Sequence, residues 1–158
     1  MTQRSVTHAM FSLERTYDAP VKRVWDAFAT EAGKASWFSG PEDSWAPLER
    51  VFDFREGGRE RARGRFHNGP VSDFQAQYHE IVEGERIVLA YDMFIDEVRI
   101  SVSLQTVEFA PAGKGTRLRI TEQGAFLDGY DDAGSRERGT AGLMEQLRAA
   151  VERQSADA

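Results

Sequence analysis

SRERGTAGLMEQLRAAVER, residues 135–153, is the stretch on which the rest of the chain is organised. Leu143, Met144, Leu147, Ala150 and Val151 recur at i, i+1, i+4, i+7 and i+8, the apolar face of an amphipathic helix. Glu145, Arg148 and Glu152 fall on the other side. At the same spacing Arg136, Gly139 and Thr140 extend the stripe toward the helix start, but without bulk. A glycine inside a helix costs roughly 1 kcal/mol relative to alanine, so Gly139 needs a reason. One reading is room: the lower half of the helix plugs a core while the upper half leaves space beside it. The other is that Gly139 lets a neighbour pack close, or marks a frayed first turn. Most of the remaining chain reads as strands, which predicts a sheet wrapped around this helix.

The totals exclude several classes. A chain of 158 residues with 41% hydrophobic and 29% charged residues suits one domain, 1–158, with a real core and a short polar tail from residue 154. Net charge is -6, which disfavours nucleic acid and anionic membrane as partners. There is no cysteine, hence no disulfide, thiol nucleophile or thiolate metal site. No apolar run approaches the roughly 20 residues of a membrane span, and the first residues carry no continuous apolar signal segment. The expected location is the cytoplasm.

Taken in order, residues 8–17 alternate with Phe11, Leu13 and Tyr17 on one face, a half-buried strand. Asp18 and Pro20 are placed to cap and open a helix over 21–30, with Val24, Trp25 and Phe28 as its buried stripe. A second short helix is expected over 31–38, then the turn Ser39-Gly40-Pro41 and a loop holding Trp45. Strands follow over 51–56, 59–67 and 71–82, then a hairpin of 86–94 and 98–109 turning at Asp96-Glu97. Val98, Ile100, Val102 and Leu104 are expected inward on its second strand. A last strand over 116–123 carries Leu118, Ile120 and Glu122 inward, and a loop over 125–133 feeds the final helix. The order is strand, two helices, antiparallel strands, long helix: an α+β fold in which one curved sheet grips the terminal helix.

That order, and several short motifs, resemble the helix-grip fold of the SRPBCC superfamily, the START-like and pollen-allergen-like group. The chain is most similar to its bacterial branch grouped with activators of heat-shock-protein ATPase and often labelled polyketide cyclase. The matching residues are Glu14-Arg15-Thr16-Tyr17-Asp18-Ala19-Pro20 with Val24-Trp25, Trp37-Phe38 before Gly40-Pro41, Gly57-Gly58-Arg59-Glu60 and Glu85-Arg86-Ile87-Val88. Gly115-Thr116-Arg117-Leu118 and Thr121-Glu122-Gln123-Gly124-Ala125-Phe126-Leu127-Asp128-Gly129 complete them, so the likeness spans nearly the whole chain. The resemblance implies a cavity between sheet and terminal helix, usually for an apolar small molecule. It implies no fixed catalytic set.

Glu122 is the candidate catalytic residue. Alternation puts it inward beyond Leu118 and Ile120, where an ionised carboxylate either pairs with a cation or becomes an acid or base. Arg136 is the candidate partner, the two forming the polar end of the cavity; the alternative is a strand-end glutamate reaching solvent or capping the loop. Tyr78 and Tyr91, beside Phe74 and Leu89, can orient a ligand carbonyl or phenol, or stand as ordinary core tyrosines. Trp37, Phe38 and Trp45 either wall a pocket entrance or belong to the core. His8, His67 and His79 form no pair at metal-ligand spacing, so no metal is expected. Arg59, Arg61, Arg63 and Arg65 alternate along a strand without interleaved aromatics and read as a solvated face. Gly57-Gly58 lacks the context of a nucleotide loop, so no cofactor is expected. No Gly-x-Ser-x-Gly elbow occurs, and the acidic loop 128–132 lacks calcium-ligand spacing and is placed to cap the last helix.

Three functions follow from these residues together with what the resemblance implies, the third from the resemblance alone. The first is binding of a small hydrophobic or aromatic molecule in the cavity. The second is an enzyme in the same cavity, a cyclase, hydratase or hydrolase, with Glu122 as acid-base and a tyrosine or Arg136 holding an oxyanion. The third is activation of a chaperone ATPase, from which the chain departs because such activators carry an additional domain. Monomer and homodimer both fit.

Overall fold

The computed structural model describes residues 3–40 and 44–156. Seven strands form a single antiparallel sheet in the order β1-β7-β6-β5-β4-β3-β2. They are β1 (Val6–Tyr17), β2 (Trp45–Phe52), β3 (Arg59–Phe66), β4 (Val71–Val82), β5 (Arg86–Ile95), β6 (Val98–Ala112) and β7 (Gly115–Leu127). Between β1 and β2 lie α1 (Val21–Ala29) and α2 (Glu31–Ala35), and α3 (Ala133–Ala156) closes the chain. This is the expected α+β helix-grip arrangement.

The helix stripe does what its spacing predicts. Met144, Leu147 and Val151 are buried against Tyr17, Val24, Ile87 and Leu118, forming the core below the sheet's concave face. The Tyr17 hydroxyl donates to the Met144 carbonyl at 2.9 Å, tying β1 to α3 in the middle of that core. Val24, Trp25 and Phe28 bury the inner face of α1. Its start differs from expectation: Pro20 is the N-cap, no side chain caps it, and its carbonyl accepts from the Arg23 and Val24 amides. Thr30 instead caps α2, accepting from the Gly33 amide, and α2 ends at Ala35 rather than continuing to Phe38.

Four further expectations are corrected. Trp45 opens β2 rather than lying in a loop, because β2 pairs with β3 from Phe52 opposite Glu60 back to Trp45 opposite Phe66. Pro47 is tolerated there because β2 is an edge strand. On β6, Ile100 is buried but Val98, Val102 and Leu104 are exposed. The pairing with β5 shifts between Met93 opposite Ser101 and Phe94 opposite Arg99, leaving Ile100 as an extra residue. Such a bulge inverts the inward-outward parity beyond it, so Ser101 and Ser103 face inward instead. β7 runs on through Gly124 to Leu127, and α3 begins at Ala133 and stays helical to Ala156, into the expected polar tail. Pro41, in the expected turn after Gly40, and the last two residues of the tail lie outside the described residues. The hairpin turn at Asp96-Glu97 is as expected, both residues having positive φ (47° and 69°).

The arginine stripe of β3 faces outward as expected. Arg61 holds Asp73 through Nε and Nη2, at 3.0 and 2.7 Å, and reaches Glu49 at 3.0 Å. Burial works against the Asp73 carboxylate, yet the hydrogen bonds from Arg61 and Gln75 hold it below the usual carboxylate range.

Candidate functional site

Because the bulky half of α3 fills only the lower part of the sheet's concavity, space remains above it. A cavity of about 500 Å³ lies there. Its floor is the inner face of the central strands, with Phe74, Leu89, Met93, Ile100 and Ile120. Phe28, Trp37 and Phe38 close it from the side of α1 and α2, and Trp45 and Phe66 from β2 and β3. The aromatic walls interlock: Phe38 meets Phe74 edge-on at 4.8 Å, and Phe74 meets Tyr91 at 4.7 Å. The α3 side is Arg136, Gly139, Thr140 and Leu143. A Cβ built on Gly139 meets nothing within 4 Å, which excludes close packing as the reason for this glycine. Gln146 straps the segment after α2 to α3, donating to the carbonyls of Trp37 (2.7 Å) and Ser39 (3.2 Å).

Two polar groups break this apolar lining. The first gathers on Arg136, which is 9% exposed. Its Nη1 donates to the Tyr91 hydroxyl at 2.9 Å and lies 3.5 Å from Glu122 Oε2. Its Nη2 donates to Ser101 Oγ (2.8 Å) and to Asp131 Oδ2 (3.0 Å). Tyr91 in turn donates to Glu122 Oε2 at 2.8 Å, and Gln105 Nε2 donates to Glu122 Oε1 at 3.1 Å. Burial, followed by the Glu122 charge, pushes the Tyr91 phenol well above its ordinary range. It therefore stays protonated, donating to Glu122 while accepting from Arg136. Ser101 and Gln105 reach this group through the β6 bulge, and Asp131 through the loop before α3, where Asp132 accepts from the Ser135 amide and caps the helix.

The second group gathers on Glu60, which alternation puts on the inner face of β3, opposite its arginines. Lys34 Nζ donates to Glu60 Oε1 at 2.8 Å, and the Tyr78 hydroxyl donates to the same oxygen. All three are almost wholly buried. Burial and the adjacent Glu60 carboxylate push the Tyr78 phenol far above its ordinary range, so it too stays neutral. Glu60 Oε2 is buried with no hydrogen-bond partner. Lys34 sits over the Phe38 ring at 4.5 Å, with Trp37 and Phe28 at 5.7 and 5.8 Å.

The residues singled out from sequence are thus brought together, with one distinction. Trp37, Phe38, Phe74, Tyr78, Leu89, Tyr91, Arg136, Gly139 and Thr140 border the cavity. Glu122 does not: it stands behind Tyr91 and Arg136, 1% exposed, with both oxygens accepting hydrogen bonds. Lys34, Glu60, Ser101, Gln105 and Asp131 were missed. Glu60 left a signal, a lone carboxylate in phase with Ala62 and Phe66; Lys34, on a five-residue helix, left none. Among the described residues no group of His, Cys, Asp and Glu is arranged to hold a metal ion, and no helix is long and apolar enough to cross a membrane.

Comparison with known proteins gives the same fold throughout. An uncharacterised protein of Rhizobium leguminosarum superposes with a TM-score of 0.91 at 40% identity, covering 96% of this chain and 99% of that one. The Mll3558 protein of Rhizobium loti is 46% identical over 92% of this chain and 99% of its own, with a TM-score of 0.84. An AHSA1-like protein of Aeromonas hydrophila, at 19% identity, shares the fold over 93% of this chain and 94% of its own, with a TM-score of 0.70. No curated protein matches the sequence. The model of the family described as Activator of Hsp90 ATPase homolog 1-like protein matches residues 18–152, nearly the full length of α1 through α3. With that span matched and the helix-grip fold in place, the chain belongs to this family.

Proposed function

We propose that the protein binds a small hydrophobic or aromatic molecule in the cavity between the sheet and α3. The observation that carries this reading is the space itself: about 500 Å³, walled chiefly by aromatic and aliphatic side chains, with two polar groups at its edge. Cavities of about 300–1,000 Å³ with an apolar lining and a few convergent polar groups are the usual form of small-molecule sites. The apolar walls of this space are open to water, and a ligand that covers them removes that surface from solvent. With this reading go a cytoplasmic location and a small molecule as the partner, in preference to nucleic acid or membrane.

The test is a fluorescence titration with N-phenyl-1-naphthylamine, an uncharged dye that brightens in apolar sites. Saturable enhancement is expected, lost in a Leu89→Trp variant whose larger ring occupies the cavity floor. Enhancement that survives Leu89→Trp undiminished places the dye elsewhere and removes the support.

A further inference from the structure

The Lys34–Glu60–Tyr78 group is separate from the Arg136 group and takes no part in holding α3 to the sheet. We propose that Lys34 is the donor that recognises an oxygen acceptor, a ketone or phenol oxygen, on an uncharged aromatic ligand; this rests on the cavity-binding reading above.

Lys34 borders the cavity while only 6% exposed. An ammonium carries three N–H donors, and Lys34 has one hydrogen bond, to Glu60 Oε1. Among the described residues the ammonium makes no other hydrogen bond. Donors left unmade in a buried site are expensive, and a ligand oxygen in the cavity supplies what the protein does not. The three rings around the ammonium leave aromatic surface on which the ring bearing that oxygen can pack.

Charge decides between a neutral acceptor and an anion. Both cations at the cavity are already paired, Lys34 with Glu60 and Arg136 with Glu122 and Asp131. Three carboxylates therefore face two cations. A ligand carboxylate entering this low-dielectric space adds a further negative charge with no free cation to meet it. A ketone or phenol takes the Lys34 hydrogen bond without that cost. Tyr78 reinforces the arrangement by donating to the same Glu60 oxygen, which keeps the carboxylate in place as the counter-charge of Lys34.

Calorimetric titration of three probes on one frame separates the possibilities: 2-acetylnaphthalene, 2-isopropylnaphthalene and 2-naphthoate. The native protein is expected to bind the ketone at least tenfold more tightly than the carboxylate. Lys34→Met is expected to weaken the ketone about tenfold and leave the hydrocarbon unchanged, since a hydrogen bond to a charged donor is lost in one case only. Because Lys34→Met strands a buried carboxylate, Lys34→Met/Glu60→Gln is measured beside it and is expected to show the same selective loss. If the hydrocarbon binds but naphthoate binds best, or the variants weaken ketone and hydrocarbon alike, the role of Lys34 is overturned and cavity binding stands. If none of the three binds, the cavity-binding reading fails, and this one with it.

Discussion

Replacing Gly139 by alanine tests the most specific claim about α3, that its upper half is built to leave room. The added Cβ meets no atom within 4 Å, so the substitution carries no steric cost. It gains the difference in helix propensity, about 1 kcal/mol. For a urea slope of roughly 2 kcal/mol/M that is a rise in midpoint of about 0.5 M, with the slope unchanged. In thermal unfolding it corresponds to about 2–4 °C. Gly64→Ala is the matched control, because a Cβ there comes within 2.0 Å of the Trp45 ring. It is expected to cost about 1–3 kcal/mol through overpacking. A destabilised Gly139→Ala protein refutes the reasoning: it means that α3 is held closer to the sheet at this position, with the cavity correspondingly smaller.

Two further outcomes follow from the ion pairs. Arg136→Met strands the buried Glu122 carboxylate and is expected to cost about 3–5 kcal/mol in denaturant unfolding, most of it regained in Arg136→Met/Glu122→Gln; a costless single variant contradicts the pairing of those two side chains. Asp73 titrates lower in the folded chain than in the unfolded one, so its contribution is complete above the ordinary carboxylate pKa of about 4 and disappears as pH falls through the lower folded value. Asp73→Asn is therefore expected to flatten the loss of stability on acidification below about pH 4, and a fall as steep as in the native protein sinks that assignment.

The parts of the molecule legible in the sequence were those set by local periodicity. The stripe through Met144, Leu147 and Val151, the inward Leu118 and Ile120, and the Asp96-Glu97 turn all stand where spacing put them. What was not legible depends on pairing between strands. The extra residue at Ile100 exists only in the register of β6 against β5, and nothing in VRISVSLQ marks the change of parity. That one residue turns Val102 and Leu104 outward and brings Ser101 to Arg136. Trp45 was hidden for a similar reason: its strand is specified by Gly64, which leaves space for the indole across the β2–β3 ladder. Glu60 is different. Its phase on β3 was visible, but its meaning appears only when a lysine from a distant helix is placed beside it.

Native mass spectrometry tests the central claim most directly. The protein is measured under non-denaturing conditions after incubation with 2-acetylnaphthalene, and again after denaturation. The account predicts a single added mass, one ligand per chain, that saturates with concentration, is absent in Leu89→Trp and leaves on denaturation. A bare protein mass at every ligand concentration contradicts it.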